Sequence, residues 1–154
     1  MITGINHLTL SVRDLAATLA FYVDLLGCRL LARWPSGAYL LAGDVWLAVV
    51  VDDAARSAPL PEYSHVAFSV SQASLDGLKA TLSPEDPRVW QENWTEGDSV
   101  YLLDPSGHKI ELHSSTLSDR LAYGRTAPWE GLELFEDGSH LERQDAPGRD
   151  GAVR

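Results

Sequence analysis

The sequence predicts an α+β protein built from two copies of one βαβββ unit. The first observation is an internal repeat, in which NHLTLSV at 6–12 matches SHVAFSV at 64–70 at the histidine, at an aliphatic position and at the final Ser-Val. The second is that YLL at 39–41 recurs at 101–103, in the same order and at nearly the same offset. The third is that strand and helix patterns follow in the same order in both halves.

The first unit begins with an alternating segment, 5–12, which predicts a strand with one polar and one apolar face. The two faces carry His7, Thr9 and Ser11 against Leu8, Leu10 and Val12. A helix follows, with Asp14 as its N-cap, Gly27 at its end and an apolar stripe of Leu15, Leu19, Tyr22 and Leu26. Strands are predicted at 28–34, 38–42 and 45–51, separated by turns at 36–37 and 43–44.

The second unit repeats this order. A strand is predicted at 64–70 and a helix at 71–82, with Leu75, Leu78 and Leu82 facing inward. Three strands follow near 88–92, 99–103 and 108–113, and the sequence DPSG at 104–107 predicts a turn between the last two. The chain is therefore expected to form one domain over 1–135, with repeat units at about 2–51 and 63–113.

The remaining segments connect or follow these units. Pro59 and Pro61 discourage a helix in the linker between the units, 51–62. A short helix is expected over 116–124. The acidic tail at 136–154 lacks an apolar period and is expected to be disordered.

Composition narrows the class of protein. Twenty-two acids against 12 bases give a formal net charge of −10, which repels phosphate backbones and predicts no nucleic-acid partner. No apolar run reaches the roughly 18 residues of a membrane span, so no membrane partner is expected. The N-terminal segment does not resemble a secretory signal, and the single cysteine, Cys28, excludes an internal disulfide. We expect a cytoplasmic protein in which Cys28 is a buried structural thiol.

His7 and His65 occupy the same place in the two repeated strands, so pseudo-twofold packing can bring their imidazoles together. Alternation in the last strand puts Lys109, Glu111 and His113 on one face. A carboxylate facing a half-buried sheet is costly unless it is paired or bound to a cation. Two histidines and one carboxylate suit Mn, Fe, Zn, Ni or Co with open positions for a substrate oxygen. The alternative interpretation is three ordinary polar strand residues.

Several motifs together carry a family resemblance. They are GINHLTL at 4–10, AYL at 38–40, DVWL at 44–47, YSH at 63–65, EGDS at 96–99, YLLDPSGHKIELH at 101–113 and DRLA at 119–122. The chain resembles, from residue 2 to about 135, the fosfomycin resistance glutathione transferases of the vicinal oxygen chelate (glyoxalase/bleomycin resistance) superfamily. The resemblance implies the vicinal oxygen chelate fold, paired βαβββ units in a domain-swapped homodimer.

The resemblance also implies a site. Mn²⁺ would be held by His7 of one subunit with His65 and Glu111 of the other, and a thiolate of glutathione would open the fosfomycin epoxide. Catalytic roles would fall to Thr9, Tyr39 and Arg120. Substrate contacts would come from Thr9, Trp34, Trp46, Gln91, Thr95, Ser99, Tyr101 and Arg120. K⁺, as an activator, would bind the loop that contains Asn93, Thr95, Gly97 and Ser99.

Some positions depart from the family pattern. Gln91 stands where the family has a lysine, Trp94 replaces a basic residue and Thr95 replaces a serine. Ser36 and Val50 differ from the polar residues that line the family's glutathione channel. The sequence therefore leaves the identity of the thiol undecided. It also leaves three alternative activities: addition of water, reaction with another electrophilic substrate, and metal-free sequestration of a drug. Glyoxalase I activity is disfavoured because the strand at 45–50 lacks the carboxylate of a fourth ligand.

Overall fold

The computed structural model describes residues 1–83 and 85–135, so the predicted acidic tail lies outside the described residues. The chain divides into two compact units, Met1–Ser115 and a second that begins at Thr116. The first unit contains two four-stranded sheets, and each sheet is formed by one of the predicted repeats.

The first sheet has the strand order β1-β4-β3-β2. Its strands are β1 (His7–Val12), β2 (Arg29–Trp34), β3 (Gly37–Ala42) and β4 (Val45–Val51). β1 runs parallel to β4, and the other pairs are antiparallel. The predicted alternation of β1 is confirmed, because Leu10 and Val12 are buried while His7 and Thr9 are exposed.

The second sheet repeats this arrangement as β5-β8-β7-β6. Its strands are β5 (Val66–Ser69), β6 (Val89–Gln91), β7 (Ser99–Leu103) and β8 (Lys109–His113), and helix α2 (Gln72–Thr81) follows β5. β5 is parallel to β8, as β1 is to β4. The paired βαβββ units predicted from the sequence are therefore confirmed.

The helix of the first unit differs from the prediction. Asp14 caps it by accepting a hydrogen bond from the Ala17 amide, as predicted, and α1 (Leu15–Leu19) then widens into a π-helical segment, Ala20–Leu25. The wider turn allows both Phe21 and Tyr22 to be buried, whereas α-helical spacing predicts only Tyr22. The segment ends at Leu25, and Gly27, two residues further along, has a left-handed φ of 74°.

Polar contacts join the two halves inside the first unit. The Tyr22 hydroxyl donates to Asp104 Oδ2 across 3.1 Å, and burial raises the pKa of Tyr22 far above its usual range. The Arg13 amide donates to Ser106 Oγ, and His108 Nε2 lies 2.9 Å from the backbone oxygen of Ser11. The β7–β8 turn therefore anchors the second repeat to the first.

The second unit contains helix α3 (Leu117–Thr126), which begins as predicted and extends two residues further. Thr116 and Asp119 form a capping box, which lowers the pKa of the Asp119 carboxyl through hydrogen bonds from the Thr116 side chain and backbone. In the described part of the chain, no helix is both long and apolar enough to cross a membrane.

Candidate active site

The first half-site is a row of side chains on one face of the first sheet. His7 on β1 is the register partner of Trp46 on β4, and their ring centroids lie 4.5 Å apart. Trp46 contacts Tyr39 at 5.0 Å, and Tyr39 contacts Trp34 at 4.8 Å. Thr9 lies on the same face as His7 because it is two residues further along β1. The structure therefore brings five of the predicted site residues together here.

The second half-site lies on the second sheet. Glu111 on β8 has Tyr101 on β7 as its register partner, and Tyr101 in turn pairs with Gln91 on β6. Ser99 Oγ lies 2.6 Å from Glu111 Oε1. His65 Nε2 lies 2.9 Å from Glu111 Oε2. Burial raises the pKa of Tyr101, and the Thr95 and Ser99 hydroxyls partly oppose this effect.

The contact between His65 and Glu111 fits a cation. His65 Nδ1 lies 2.9 Å from the Tyr63 carbonyl oxygen, so this nitrogen carries the ring proton. Nε2 of a neutral ring then offers only a lone pair, which faces a carboxylate oxygen that also only accepts. Either a second proton on the ring or a cation bound by both atoms satisfies this arrangement. Imidazole and carboxylate are ordinary ligands of divalent transition metals.

His7 is the third predicted ligand, and it lies on the other sheet, where its Nδ1 is 2.7 Å from Asn6 Oδ1. Among the residues that the structure describes, no three His, Cys, Asp or Glu side chains form a metal-binding group. A single chain therefore presents Glu111 on the second sheet with His65 directly before strand β5 of that sheet, and His7 on the first sheet.

The predicted potassium loop is held together by hydrogen bonds between its own residues. Asn93 Nδ2 donates to the Gly97 carbonyl across 2.8 Å, and Asn93 Oδ1 accepts from the Thr95 amide and hydroxyl. Gly97 has a φ of 85°, which favours glycine. Helix α2 holds the end of the loop, because Lys79 and Gln72 both donate to the Asp98 carboxylate and lower its pKa. This geometry leaves the K⁺ site itself a prediction.

Arg120 belongs to the second unit, where its guanidinium carbon lies 5.2 Å from the ring centroid of Trp129. Its predicted role in binding substrate stays a prediction. Cys28 is buried, as predicted, and burial raises the pKa of its thiol.

Buried side-chain atoms without a hydrogen-bond partner mark both half-sites. Among residues 1–83 and 85–135 these atoms are Trp46 Nε1, Trp90 Nε1 and Glu96 Oε2. Buried polar groups in proteins are usually paired, so an unpaired donor at a site indicates a group that the site receives. Trp46 Nε1 is such a donor beside His7.

The sequence analysis did not single out three further residues of the second half-site. Trp90 packs edge-on against Tyr101 at 5.4 Å, and the Tyr63 ring lies 5.0 Å from His65. His113 Nδ1 lies 2.7 Å from Ser99 Oγ. Strand alternation placed His113 beside Glu111, but only coordinates show that it bonds to Ser99.

A cleft of about 560 Å³ lies where β1, the linker and β5 meet. Thr9 of the first half-site and His65 of the second line it together with Arg56 and Lys109, but Glu111 and Trp46 do not. The cleft therefore borders one residue of each half-site and does not reach Glu111.

Together the paired βαβββ sheets and the His-carboxylate pair define a class of α+β protein that has a histidine and a carboxylate in contact beside one of its sheets. The model of the Glyoxalase/Bleomycin resistance protein/Dioxygenase superfamily matches residues 4–112. The chain is also 42% identical over 139 residues to Glutathione transferase FosA of Serratia marcescens, covering 89% of this chain and 99% of that one. The chain belongs to this superfamily and, within it, to the fosfomycin resistance enzymes.

Two further proteins are similar to this chain, one in sequence and one in structure. Metallothiol transferase FosB of Staphylococcus epidermidis is 34% identical over 131 residues, which is 82% of this chain and 94% of that one. A variant of the fosfomycin resistance protein FosX of Listeria monocytogenes, solved with Mn(II) and 1S,2S-dihydroxypropylphosphonic acid, is 26% identical. It superposes with a TM-score of 0.67, covering 79% of this chain and 99% of that one.

Proposed function

We propose that this chain is a metal-dependent thiol transferase that opens the epoxide of fosfomycin with glutathione. The observation that carries the proposal is the pair of electron-pair donors, His65 Nε2 and Glu111 Oε2, which face each other at 2.9 Å. The similarity to FosA, whose name gives it as a glutathione transferase, supports the choice of thiol.

His7, His65 and Glu111 would hold the metal, with Mn²⁺ as the first candidate because the FosX structure contains it. When bound, the metal supplies a Lewis acid that stabilises negative charge on the epoxide oxygen. K⁺ would bind at the loop closed by Asn93 and carry an activating positive charge.

The chain's own residues would bind and orient the substrates. Trp46 Nε1 has a free proton to donate to a phosphonate oxygen, and Arg120 would pair with the phosphonate through two parallel hydrogen bonds. Thr9 would donate a hydrogen bond to the oxygen released from the ring. The thiolate sulfur would bond to an epoxide carbon as that carbon's bond to oxygen breaks, and the alkoxide would take up a proton.

A complete site would be assembled from two chains. Each chain carries His7 on the first sheet, and Glu111 on the second sheet with His65 directly before strand β5. A homodimer with exchanged halves would place His7 of one subunit against His65 and Glu111 of the other, giving two equal sites by symmetry.

A second candidate is a sister reaction at the same metal, with another thiol, with water or with another electrophile. The surface beside His65 favours it, because Gln91 and the 70% exposed Trp94 are uncharged. Gln91 Nε2 lies 3.3 Å from the Tyr63 hydroxyl, so Gln91, Tyr63 and Trp94 offer amide, phenol and indole groups rather than cations for the carboxylates of glutathione. Metal-free sequestration of the drug is the alternative from another class.

The test is ³¹P NMR of fosfomycin incubated with purified protein, Mn²⁺ and K⁺. Parallel tubes would contain glutathione, cysteine, bacillithiol or no thiol. The proposal predicts a glutathione adduct that forms with wild-type protein and is absent with Glu111→Gln. Another adduct or a diol would instead support the sister reaction with that thiol or with water. Unchanged fosfomycin in every tube would contradict every reaction with fosfomycin and leave only another electrophilic substrate.

A further inference from the structure

Three side chains on β7 and β8, one of them the candidate metal ligand Glu111, form a hydrogen-bonded row. Ser99 Oγ is 2.6 Å from Glu111 Oε1 and 2.7 Å from His113 Nδ1. Ser99 and His113 are register partners on adjacent strands, and Glu111 lies two residues before His113 on the same face. The three side chains therefore meet because of the strand pairing.

The protons that these three side chains can donate fix the direction of their hydrogen bonds. An ionised Glu111 carboxylate can only accept, so the single hydroxyl proton of Ser99 goes to Glu111 Oε1. The Ser99 oxygen must then accept from His113, which requires the proton of the neutral His113 ring to sit on Nδ1. The order is His113 Nδ1–H to Ser99 Oγ–H to Glu111 Oε1.

Burial leaves few alternative partners for this order of hydrogen bonds. Ser99 is only 4% exposed and Glu111 only 8%, so water is a poor substitute for either partner. The His113 ring is itself confined, since a Cβ added at Gly97 would stand 2.9 Å from His113 Cε1. A serine hydroxyl that lost His113 would be free to rotate away from Glu111.

We propose that His113 is a positioning residue for the metal-binding carboxylate. It holds the Ser99 hydroxyl toward Glu111 Oε1, and this bond keeps Glu111 Oε2 directed at His65 Nε2. The proposal rests on the proposed function, because it assigns His113 a role only if His65 and Glu111 bind a metal. Partners that orient a ligand in this way typically contribute about 10- to 100-fold to metal affinity.

The test is a titration of purified full-length protein with Mn²⁺, in which electron paramagnetic resonance measures free Mn²⁺. His113→Ala is expected to raise the Mn²⁺ Kd by roughly 10- to 100-fold. His113→Asn keeps an N–H near the position of Nδ1 and should stay within about threefold of wild type, whereas His113→Gln places its N–H near Nε2 and should behave as alanine does. Lys109→Gln is the matched control, because Lys109 flanks Glu111 on the same face but donates to the Glu62 carbonyl instead.

A double-mutant cycle separates positioning from general damage. His113 Nδ1 is 2.7 Å from Ser99 Oγ but 3.4 Å from Glu111 Oε1, so its effect should pass mainly through Ser99. Adding His113→Ala to Ser99→Ala should therefore cost much less affinity than the same substitution costs in the wild-type protein. A wild-type Kd for His113→Ala, equal losses for Asn and Ala, or additive losses in the cycle would each overturn the proposal. Failure of the wild-type protein to bind Mn²⁺ would instead contradict the proposed function, and the positioning role with it.

Discussion

At the residue scale, the informative feature is that two acceptors, His65 Nε2 and Glu111 Oε2, face each other at 2.9 Å. In most proteins a histidine beside a carboxylate is explained by a proton shared between them. Here the Tyr63 carbonyl already takes the Nδ1 proton of His65, so the contact needs either a second ring proton or a cation. These two explanations predict opposite effects of Glu111→Gln on the free energy of unfolding.

Glu111→Gln should stabilise the metal-free protein at pH 8. A glutamine amide can donate to the His65 Nε2 lone pair, so the free energy of unfolding in chelator should rise by about 0.5–1.5 kcal/mol. The measurement is urea denaturation of both proteins in EDTA. A loss of stability of the same size would show that His65 carries two protons and forms an ion pair with Glu111.

Tyr22→Phe tests the contact that joins the two halves. Loss of the hydroxyl should cost about 1–2 kcal/mol because Asp104 Oδ2 is left without this buried donor. Burial raises the pKa of Tyr22, so the folded state favours the neutral phenol. The stability that this provides is complete below the unfolded-state pKa of about 10 and is lost as the pH rises above it.

The check is urea denaturation of wild-type and Tyr22→Phe proteins at pH 8 and pH 10.5. The difference in unfolding free energy between the two proteins should shrink at the higher pH. A difference that stays constant would exclude a shifted Tyr22 titration.

At the scale of elements, the sequence predicted the strands well because each has a clear local signal. Alternation over 5–12 and the DPSG turn at 104–107 are properties of short segments, and every observed strand end lies within two residues of its predicted position. The π-helical segment Ala20–Leu25 was missed because its width is decided by packing of Phe21 and Tyr22 in the core. The repeat likewise pairs His7 with His65 by position, but it cannot show that a single chain keeps His7 on the first sheet and His65 beside the second.

Gly107→Ala should strongly destabilise the β7–β8 turn. Gly107 has a φ of 87°, and an added Cβ would stand 2.5 Å from the backbone carbon of Ala58. Strain and clash together should cost more than about 2 kcal/mol. Gly43→Ala is the matched control, since Gly43 has a φ of 60° with nothing within 4 Å of an added Cβ and should lose only about 1 kcal/mol.

Thermal unfolding of the two glycine variants separates these costs. The Tm of Gly107→Ala should fall well below that of Gly43→Ala. Equal Tm values would mean that the linker at Ala58 moves away freely and that the turn is not anchored there.

At the scale of the whole molecule, the placement of His7 and Glu111 on different sheets determines which chains would contribute ligands to one site. His7 and Glu111 of one chain would serve different sites if the halves are exchanged between subunits, and the same site if they are not. A dimer of one His7→Ala chain and one Glu111→Ala chain should therefore be active only if the halves are exchanged, although each variant is inactive by itself. The His7→Ala chain keeps an intact second half-site, and the Glu111→Ala chain keeps an intact first half-site.

The decisive measurement is fosfomycin conversion, followed by ³¹P NMR, by a dimer that contains one chain of each variant. The two chains would be co-expressed with different affinity tags, and the dimer purified through both. With exchanged halves this dimer has one complete site and one that lacks both ligands, so it should regain about half of wild-type activity while each single-variant dimer stays inactive. A doubly tagged dimer as inactive as its parents, beside an active wild type, would contradict a site shared between two chains.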